Sequence, residues 1–161
     1  MLDPSCTVFA SPIGPIRISW SERGIDRVEI GVAMAKQVVP LPLWVATAQD
    51  AILRHLAGDS NTFAEVPLDL EGVLKFHRRV YRATQKIPVG TTESYGGLAC
   101  RLGKPGAARA VGQALARNPL PILVPCHRVL AAGGRPGGFT AQGGLRTKAA
   151  LLEREGVTLR L

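Results

Sequence analysis

Two short helical stretches joined by a tight turn decide the fold of this chain: "ESYGGLACRLGKPGAARAVGQALARNP", residues 93–119. The first stretch runs to Gly103, the turn contains Pro105-Gly106, and the second stretch ends at Asn118-Pro119. Two short helices around a Gly/Pro turn predict a helix-turn-helix. The second helix is rich in Ala and Gly, with Arg109 as the long side chain near its start, so its backbone can come very close to a partner.

A third helix is predicted immediately before this unit. The segment "VLKFHRRVYRATQKIP", residues 73–88, places Phe76, Val80, Thr84 and Ile87 on one apolar stripe and stops at Pro88. Its cations, Arg78, Arg79, Arg82 and Lys86, lie off that stripe. The second half of the chain, residues 73–161, is therefore predicted to be mostly helical.

The first half has the alternating pattern of strands. "TVFASPIGPIRISW" (7–20) predicts two strands around a Pro-Gly turn, and "IDRVEIGV" (25–32) predicts a third. A loop over 36–43 and a short helix, "TAQDAILRHLAGD" (47–59), follow, with His55 interpreted as a helix-face residue without a role. "FAEVPLDL" (63–70) favours one more extended piece, an edge strand because of Pro67. We expect an α/β (α+β) fold with an N-terminal α/β domain over 1–72 and a second domain over 73–161.

The charge of the chain is divided between these halves. Residues 1–74 hold five Lys+Arg and nine Asp+Glu, a net of −4, whereas residues 75–161 hold fifteen and three, a net of +12. A half this basic is typical of a protein that binds a polyanion, with nucleic acid ahead of membrane because no amphipathic membrane-type helix is present. A ribosomal or generally adhesive basic surface is the alternative.

Membrane and secretory classes are disfavoured by the sequence. No apolar run approaches the ~18 residues of a membrane span, and the first residues lack the basic and apolar blocks of a signal peptide. Three cysteines do not make a disulfide framework, so Cys6 and Cys100 are interpreted as free thiols. We therefore expect a cytoplasmic protein in a reducing environment.

The stretch "NPLPILVPCHRVLAAGG", residues 118–134, sets a cysteine directly beside a histidine. Adjacent residues do not face each other on a helix or strand, so a direct Cys126–His127 pair is awkward. Metal binding by the pair is no easier, because ligand pairs are usually spaced by two or more residues. A buried structural cysteine is the plain alternative.

The motifs "ARAVG", "NP" and "PCHRV", followed by "GGLRTKAALLEREG" (143–156), resemble those of the O6-alkylguanine-DNA alkyltransferases. The resemblance spans residues 76–156 and, more loosely, the opening strands. It implies a ribonuclease-H-like first domain with an antiparallel sheet and a winged helix-turn-helix-like second domain. It also implies direct-reversal DNA repair, in which the alkyl group of O6-methylguanine or O4-methylthymine moves irreversibly to the protein's own Cys126 after the base is flipped out of the duplex.

The resemblance assigns the reacting residues. Cys126 is the nucleophile, activated by a Glu–His–water–Cys relay through His127 and Glu155, while Glu153 is interpreted as solvated. Asn118 would brace the turn that carries Cys126, and Tyr95 would donate a hydrogen bond to the departing guanine. A free thiol is only a few per cent ionised at neutral pH, so this activation is chemically necessary.

The resemblance also implies a DNA surface and a substrate pocket. The DNA-binding residues are Arg109, which fills the vacated stack, and Ser94, Tyr95, Ala107, Ala108, Gly112 and Arg128. The substrate-pocket residues are Pro121, Val129, Phe139 and Lys148, of which Lys148 would sit near the guanine oxygen or brace the pocket. The expected partner is double-stranded DNA containing O6-alkylguanine, bound through its minor groove by a monomer, with clustering on DNA left open. No cofactor and no metal are expected.

One feature departs from the family pattern. Phe139 stands where family members usually have a tyrosine, and "GGFTAQGGL" (137–145) is slightly longer than usual, which bears on adduct preference. Two alternatives stay open: an alkyltransferase-like module that binds damage without taking the alkyl group, and a thiol hydrolase. Relatives of the first kind lack the cysteine, and the second gives no reason for a basic helix-turn-helix.

Overall fold

Three antiparallel strands form the sheet of the N-terminal half. A computed structural model, which describes residues 5–36, 40–60 and 63–161, places β1 at Cys6–Phe9, β2 at Ile16–Ser21 and β3 at Gly24–Ile30, in the order β1-β2-β3. Ile16 and Ile18 of β2 are fully buried while Arg17 between them is not. The three predicted strands are confirmed, and β2 alternates as expected, whereas all four residues of β1 are buried.

The helix of this half, α1, spans Leu43–Leu56 and begins four residues earlier than its predicted start at Thr47. Val45 is fully buried and belongs to the same stripe as Ala48 and Ile52, which explains the earlier start. The helix ends before Gly58, as predicted. Of the predicted loop over 36–43, residues 37–39 lie outside the described residues.

The predicted edge strand over 63–70 is wrong. This segment pairs with β3 through a single bridge between Ile25 and Leu68. The Ile25 N–H donates to the Pro67 carbonyl, and the Asp69 N–H donates to the Ile25 carbonyl. Pro67 has no N–H to donate, and the residues before it form a turn, so a longer ladder does not form.

Three helices build the helical unit predicted from sequence: α2 (Lys75–Gln85), α3 (Tyr95–Arg101) and α4 (Ala108–Ala116). Val80 and Thr84 of α2 are fully buried, and the four cations of that helix are exposed, as the stripe predicted. The Tyr81 hydroxyl donates to the Ala114 carbonyl of α4 at 2.8 Å. Burial raises the pKa of Tyr81 to about 12, so it remains a neutral donor that holds α4 on α2.

A short parallel ladder, not predicted from sequence, joins this unit to the Cys-His segment. Its strands are β4 (Glu93–Ser94) and β5 (Val129–Leu130). Because β4 leads directly into α3 and β5 directly follows a 3₁₀ turn at Cys126–Arg128, the ladder fixes the cysteine relative to the helix-turn-helix.

The last helix, α5 (Leu145–Arg154), packs on the 3₁₀ turn and on α1. Buried apolar side chains from both halves form one continuous cluster, and the Val28 N–H of β3 donates to the Pro119 carbonyl. The division of the chain at 72/73 stays a prediction. Among the helices of the described residues, none has the length and hydropathy to cross a membrane.

Candidate active site

Residues 118–125 form a braced turn that presents Cys126. The Asn118 side chain donates to the Val124 carbonyl at 3.0 Å and accepts from the Leu120 N–H at 2.9 Å, so both faces of its amide are used. Inside this turn Ile122 has a φ of +75°, a conformation that a β-branched residue rarely adopts. Ile122 is fully buried, and such strain persists only where the surroundings over-determine it. The turn therefore holds the cysteine rigidly.

Cys126 lies between two cavities. The larger, of about 640 Å³, is mainly apolar and is lined by Tyr95, Arg109, Gly112 and Phe139 among others. The smaller, of about 340 Å³, is lined by β3 residues including Arg27, by Asn118 and Pro121, and by residues 139–142. Cys126 and Phe139 line both. Cys126 is thus part of the wall of both cavities.

Behind the thiol, His127 is fully buried and its Nε2 donates to Glu155 Oε1 at 2.7 Å. A carboxylate only accepts hydrogen bonds, so Nε2 carries the hydrogen and Nδ1 of the neutral ring is a free acceptor. Nδ1 is buried and has no hydrogen-bond partner in the described part of the chain. Burial lowers the pKa of His127, against the opposing effect of Glu155. His127 is therefore a neutral ring with a bare nitrogen available for a proton.

Glu155 is the C-cap residue directly after the last residue of α5, and its side chain is only 1% exposed. Burial would raise the pKa of this carboxyl, but hydrogen bonds from His127, His55 and Arg128 outweigh it and hold the pKa well below its usual range. Glu155 is thus ionised. Its neighbour Glu153 is exposed, as expected.

The prediction that Arg128 binds DNA is wrong. Its guanidinium is buried and pairs with both oxygens of Glu155, through Nε to Oε2 at 2.9 Å and Nη2 to Oε1 at 2.8 Å. Its Nη1 donates to the Ile87 carbonyl at 2.7 Å. Arg128 therefore fixes the acid behind His127. All three of its guanidinium nitrogens are engaged inside the protein, so the side chain is not available to a phosphate.

The interpretation of His55 as a helix-face residue without a role is also wrong. His55 is 2% exposed, and its Nε2 lies 2.9 Å from Glu155 Oε1. The sequence carried one signal for it, since His55 falls on the buried stripe of Ala48 and Ile52. A polar residue at such a position needs a partner inside the protein.

The charge near the thiol comes from Lys148. Its side chain is fully buried, and Nζ donates to the Val129 carbonyl at 2.7 Å and the Gly138 carbonyl at 3.1 Å. Burial lowers the pKa of Lys148 to about 8. Burial raises the pKa of the Cys126 thiol, whereas a hydrogen bond from Asn118 and the charge of Lys148 lower it. The resting cysteine is a thiol that needs a base.

Tyr95 and the loop over residues 137–139 form the opposite wall. Gly137 has a φ of +67°, and a Cβ there would stand 2.9 Å from the Tyr95 hydroxyl, so only glycine fits. Burial raises the pKa of Tyr95, against a backbone hydrogen bond from Gly138. Tyr95 is therefore a neutral phenol able to donate a hydrogen bond into the cavity.

The remaining predicted residues divide into three groups: those at the larger cavity, those at the smaller cavity and those at neither. Ser94, Ala108, Arg109 and Gly112 line the larger cavity, with Ala107 capping α4 beside them. The Ser94 oxygen accepts from the Gly97 N–H and caps α3, which leaves its hydroxyl hydrogen free. Pro121 and Phe139 line the smaller cavity. Val129 and Lys148 are buried behind the wall, where Lys148 Nζ donates to the carbonyls of Val129 and Gly138, and their predicted part in the substrate pocket stays a prediction.

His55, His127 and Glu155 also form a set of potential metal ligands, with donor atoms within 4.8 Å of one another. Arg128 already occupies both carboxylate oxygens. A cation between these residues would face a fixed positive charge at contact distance. The donor set therefore suits a hydrogen-bonded acid better than a metal.

A helix-turn-helix next to a cysteine that has a buried histidine behind it is the arrangement expected of a nucleic-acid-binding protein that carries its own nucleophile. Comparisons with known proteins agree. The model of the family described as "6-O-methylguanine DNA methyltransferase, DNA binding domain" matches residues 75–157. Curated methylated-DNA–protein-cysteine methyltransferases of Mycobacterium tuberculosis and Methanosarcina acetivorans are 41% and 39% identical, over 90% and 92% of this chain and 88% and 96% of theirs.

Solved structures show the same relationship. The crystal structure of Mycobacterium tuberculosis OGT in complex with DNA superposes with a TM-score of 0.80 at 38% identity, over 94% of this chain and 92% of that one. The methyltransferase of Pyrococcus kodakaraensis gives 0.63 at 27% identity, over 94% and 99%. The chain belongs to the methylated-DNA–protein-cysteine methyltransferase family, and its α/β fold is the fold of that family.

Proposed function

We propose that this protein repairs O6-alkylguanine in duplex DNA by taking the alkyl group onto Sγ of Cys126, once per molecule. The observation that carries the proposal is the position of Cys126 on the wall of the larger cavity, with His127 and ionised Glu155 buried behind it. Arg109 on α4 stands at the same cavity and is exposed, so the thiol and the DNA-binding helix share one opening.

Activation of the thiol uses the free nitrogen of His127. Neighbouring residues point apart, so a water bridging Sγ and Nδ1 carries the proton to the imidazole in this proposal. Glu155 stabilises the imidazolium that forms, and Lys148 stabilises the thiolate. Because the resting thiol has a raised pKa, proton removal and attack are expected to be concerted.

The transfer is an in-line displacement. The sulfur–carbon bond forms as the carbon–O6 bond breaks, and both electrons of the broken bond leave with the guanine oxygen. Tyr95, a neutral phenol, donates a hydrogen bond to the departing base. The base gains one proton from solvent and His127 releases one, so protons balance. A thioether has no easy hydrolytic exit, which makes the turnover single and irreversible.

The target base must leave the duplex to reach this cavity, because stacking hides its O6 from a recessed thiol. We propose that Arg109 fills the vacated stack while the small residues of α4 lie in the minor groove, where little sequence is read. Damage rather than sequence then selects the site. In this proposal the protein acts as a monomer and accepts O4-methylthymine in the same cavity.

Intact-protein mass tests the proposal directly. After mixing with an O6-methylguanine duplex, the protein should gain the mass of one methylene, located by peptide mapping on Cys126. Cys126→Ala should gain nothing and still bind DNA, since a thiol adds little to affinity for phosphates. Label on Cys6 or Cys100 would refute the assignment. DNA binding by the wild type without any mass change would also refute it, and is the outcome expected of a damage-binding module.

A further inference from the structure

His55 brings a second imidazole to the acid of the active site from the other half of the molecule. It lies at the end of α1, one hundred residues before Glu155, and its ring is held against Phe63 with centroids 5.1 Å apart. Beside it, Arg154 Nη1 donates to the Leu56 carbonyl at 2.9 Å. The ends of α1 and α5 are thus joined by polar contacts directly behind His127.

The hydrogen bonds to Glu155 are distributed unevenly between its oxygens. Oε1 faces three nitrogens, of His127 at 2.7 Å, Arg128 at 2.8 Å and His55 at 2.9 Å, while Oε2 accepts from Arg128 at 2.9 Å. All three nitrogens must donate, since the carboxylate is ionised. His55 therefore competes with His127 for the lone pairs of one oxygen.

We propose that His55 is a positioning residue for the alkyl transfer, acting through Glu155 on the orientation and basicity of His127. The inference rests on the function proposed above. The titratable and charged groups around it are Glu155 directly after α5, Arg154 at the end of α5, and His127 and Arg128 from the 3₁₀ turn; Phe63 contributes an apolar ring. By withdrawing electron density from Oε1, His55 keeps His127 neutral at rest and ready to accept the thiol proton.

Removing this donor has a definite consequence. Without His55, Oε1 is shared by fewer donors and interacts more strongly with His127, which stabilises its imidazolium. His127 must then be deprotonated at higher pH before it can act as a base. The acid limb of the rate–pH profile should move upward by about half to one pH unit, the size expected for one hydrogen bond.

Two substitutions and a control test the proposal. His55→Phe keeps a ring against Phe63 but removes the donor, whereas the side-chain amide of His55→Gln can donate from near the position of Nε2. His77→Phe is the matched control, because His77 lies on α2 and also packs against aromatic rings. Single-turnover transfer from an O6-methylguanine duplex is measured across pH 5–9 for all four proteins (roughly two units either side of an imidazole pKa).

The expected result is an upward shift for His55→Phe, the wild-type profile for His55→Gln, and no shift for His77→Phe. An unshifted profile for His55→Phe would overturn the proposal. So would an equal, pH-independent loss of rate in both His55 variants, which would mark a purely structural role.

NMR of the DNA-free protein keeps this test separate from the proposed function. Titration of the His127 imidazole should show the same upward pKa shift in His55→Phe, whether or not alkyl transfer occurs. If that variant does not fold, the wild type decides: both His55 and His127 should show a slowly exchanging Nε2–H. A rapidly exchanging His55 N–H refutes the proposal, whereas absence of alkyl transfer with the NMR results intact refutes only the proposed function.

Discussion

The Glu155→Gln variant should be much less stable to unfolding than the wild type, although glutamine has nearly the same shape as glutamate. The carboxylate is the shared acceptor of Arg128, His127 and His55, all within 2.9 Å. An amide keeps one acceptor oxygen and turns an NH₂ group toward donors on the other side. Arg128 would then be a buried guanidinium without a counter-ion, keeping the Ile87 carbonyl and at most the single amide oxygen as acceptors.

The magnitude follows from the burial of the pair, with side chains 5% and 1% exposed for Arg128 and Glu155. Removing one partner of a buried ion pair costs about 3–5 kcal/mol, because the other charge is left uncompensated. Domains are stable by only about 5–15 kcal/mol in total. For a chain of this size each kcal/mol lowers Tm by about 2–4 °C, so we expect a fall of roughly 6–20 °C.

Urea unfolding at neutral pH is the assay. Glu153→Gln is the control, because Glu153 is an exposed acid two residues before Glu155. A double variant, Arg128→Met with Glu155→Gln, should recover part of the loss. The pKa of Glu155 is lower folded than unfolded, so its contribution is complete above about pH 4.3, the unfolded value, and declines as pH falls below it. The gap between wild type and Glu155→Gln should therefore narrow on acidification.

A loss below about 1 kcal/mol, the range of an exposed ion pair, would refute this reasoning. So would equal losses for Glu153→Gln and Glu155→Gln. Either result would mean that Glu155 does not compensate the charge of Arg128, and the fixed orientation of His127 would need another source.

Three further outcomes are expected. Arg109→Ala should slow transfer from duplex DNA far more than from a free base or short single strand, because extrusion costs a few kcal/mol; equal losses in a single-turnover assay would make Arg109 a plain phosphate contact. Lys148→Met should move the pH dependence of Cys126 labelling by a small electrophile upward, because the ammonium lowers the thiol pKa; an unshifted profile would remove Lys148 from thiol activation. Phe139→Tyr should leave DNA affinity unchanged and hold or raise the methyl-transfer rate, because a hydroxyl can donate to the leaving oxygen; a slower rate would show that the apolar ring is required.

The sequence was sufficient for most of the features that depend on neighbouring residues, although the edge strand over 63–70 was not among them. The Gly/Pro turn between α3 and α4, the apolar stripe of α2 and the alternation in β2 depend on neighbours within a few residues, and all are present. Asn118, Cys126 and His127 stand within ten positions of one another, so their common turn could be predicted from one motif.

What the sequence could not supply were partners brought together only by the fold. His55 and Glu155 are one hundred residues apart, and no local pattern pairs them. Arg128 directly follows Cys126 and His127 in a basic segment, which favoured a phosphate contact. Its burial depends on the position of Glu155, which α5 places beside the guanidinium. The β4–β5 ladder was missed because two-residue strands have no periodicity to detect.

Cys126 borders two cavities on different sides of the molecule. The larger is lined by residues of α4, the helix that the proposed function sets against DNA, whereas the smaller is bordered by β3 and residues 139–142, away from that helix. If a compact electrophile reached the sulfur through the smaller cavity, it would inactivate the protein while it is engaged on undamaged DNA. Chemical inhibition and DNA occupancy would then be independent events, and a pool of bound but spent molecules could arise without a single lesion having been repaired.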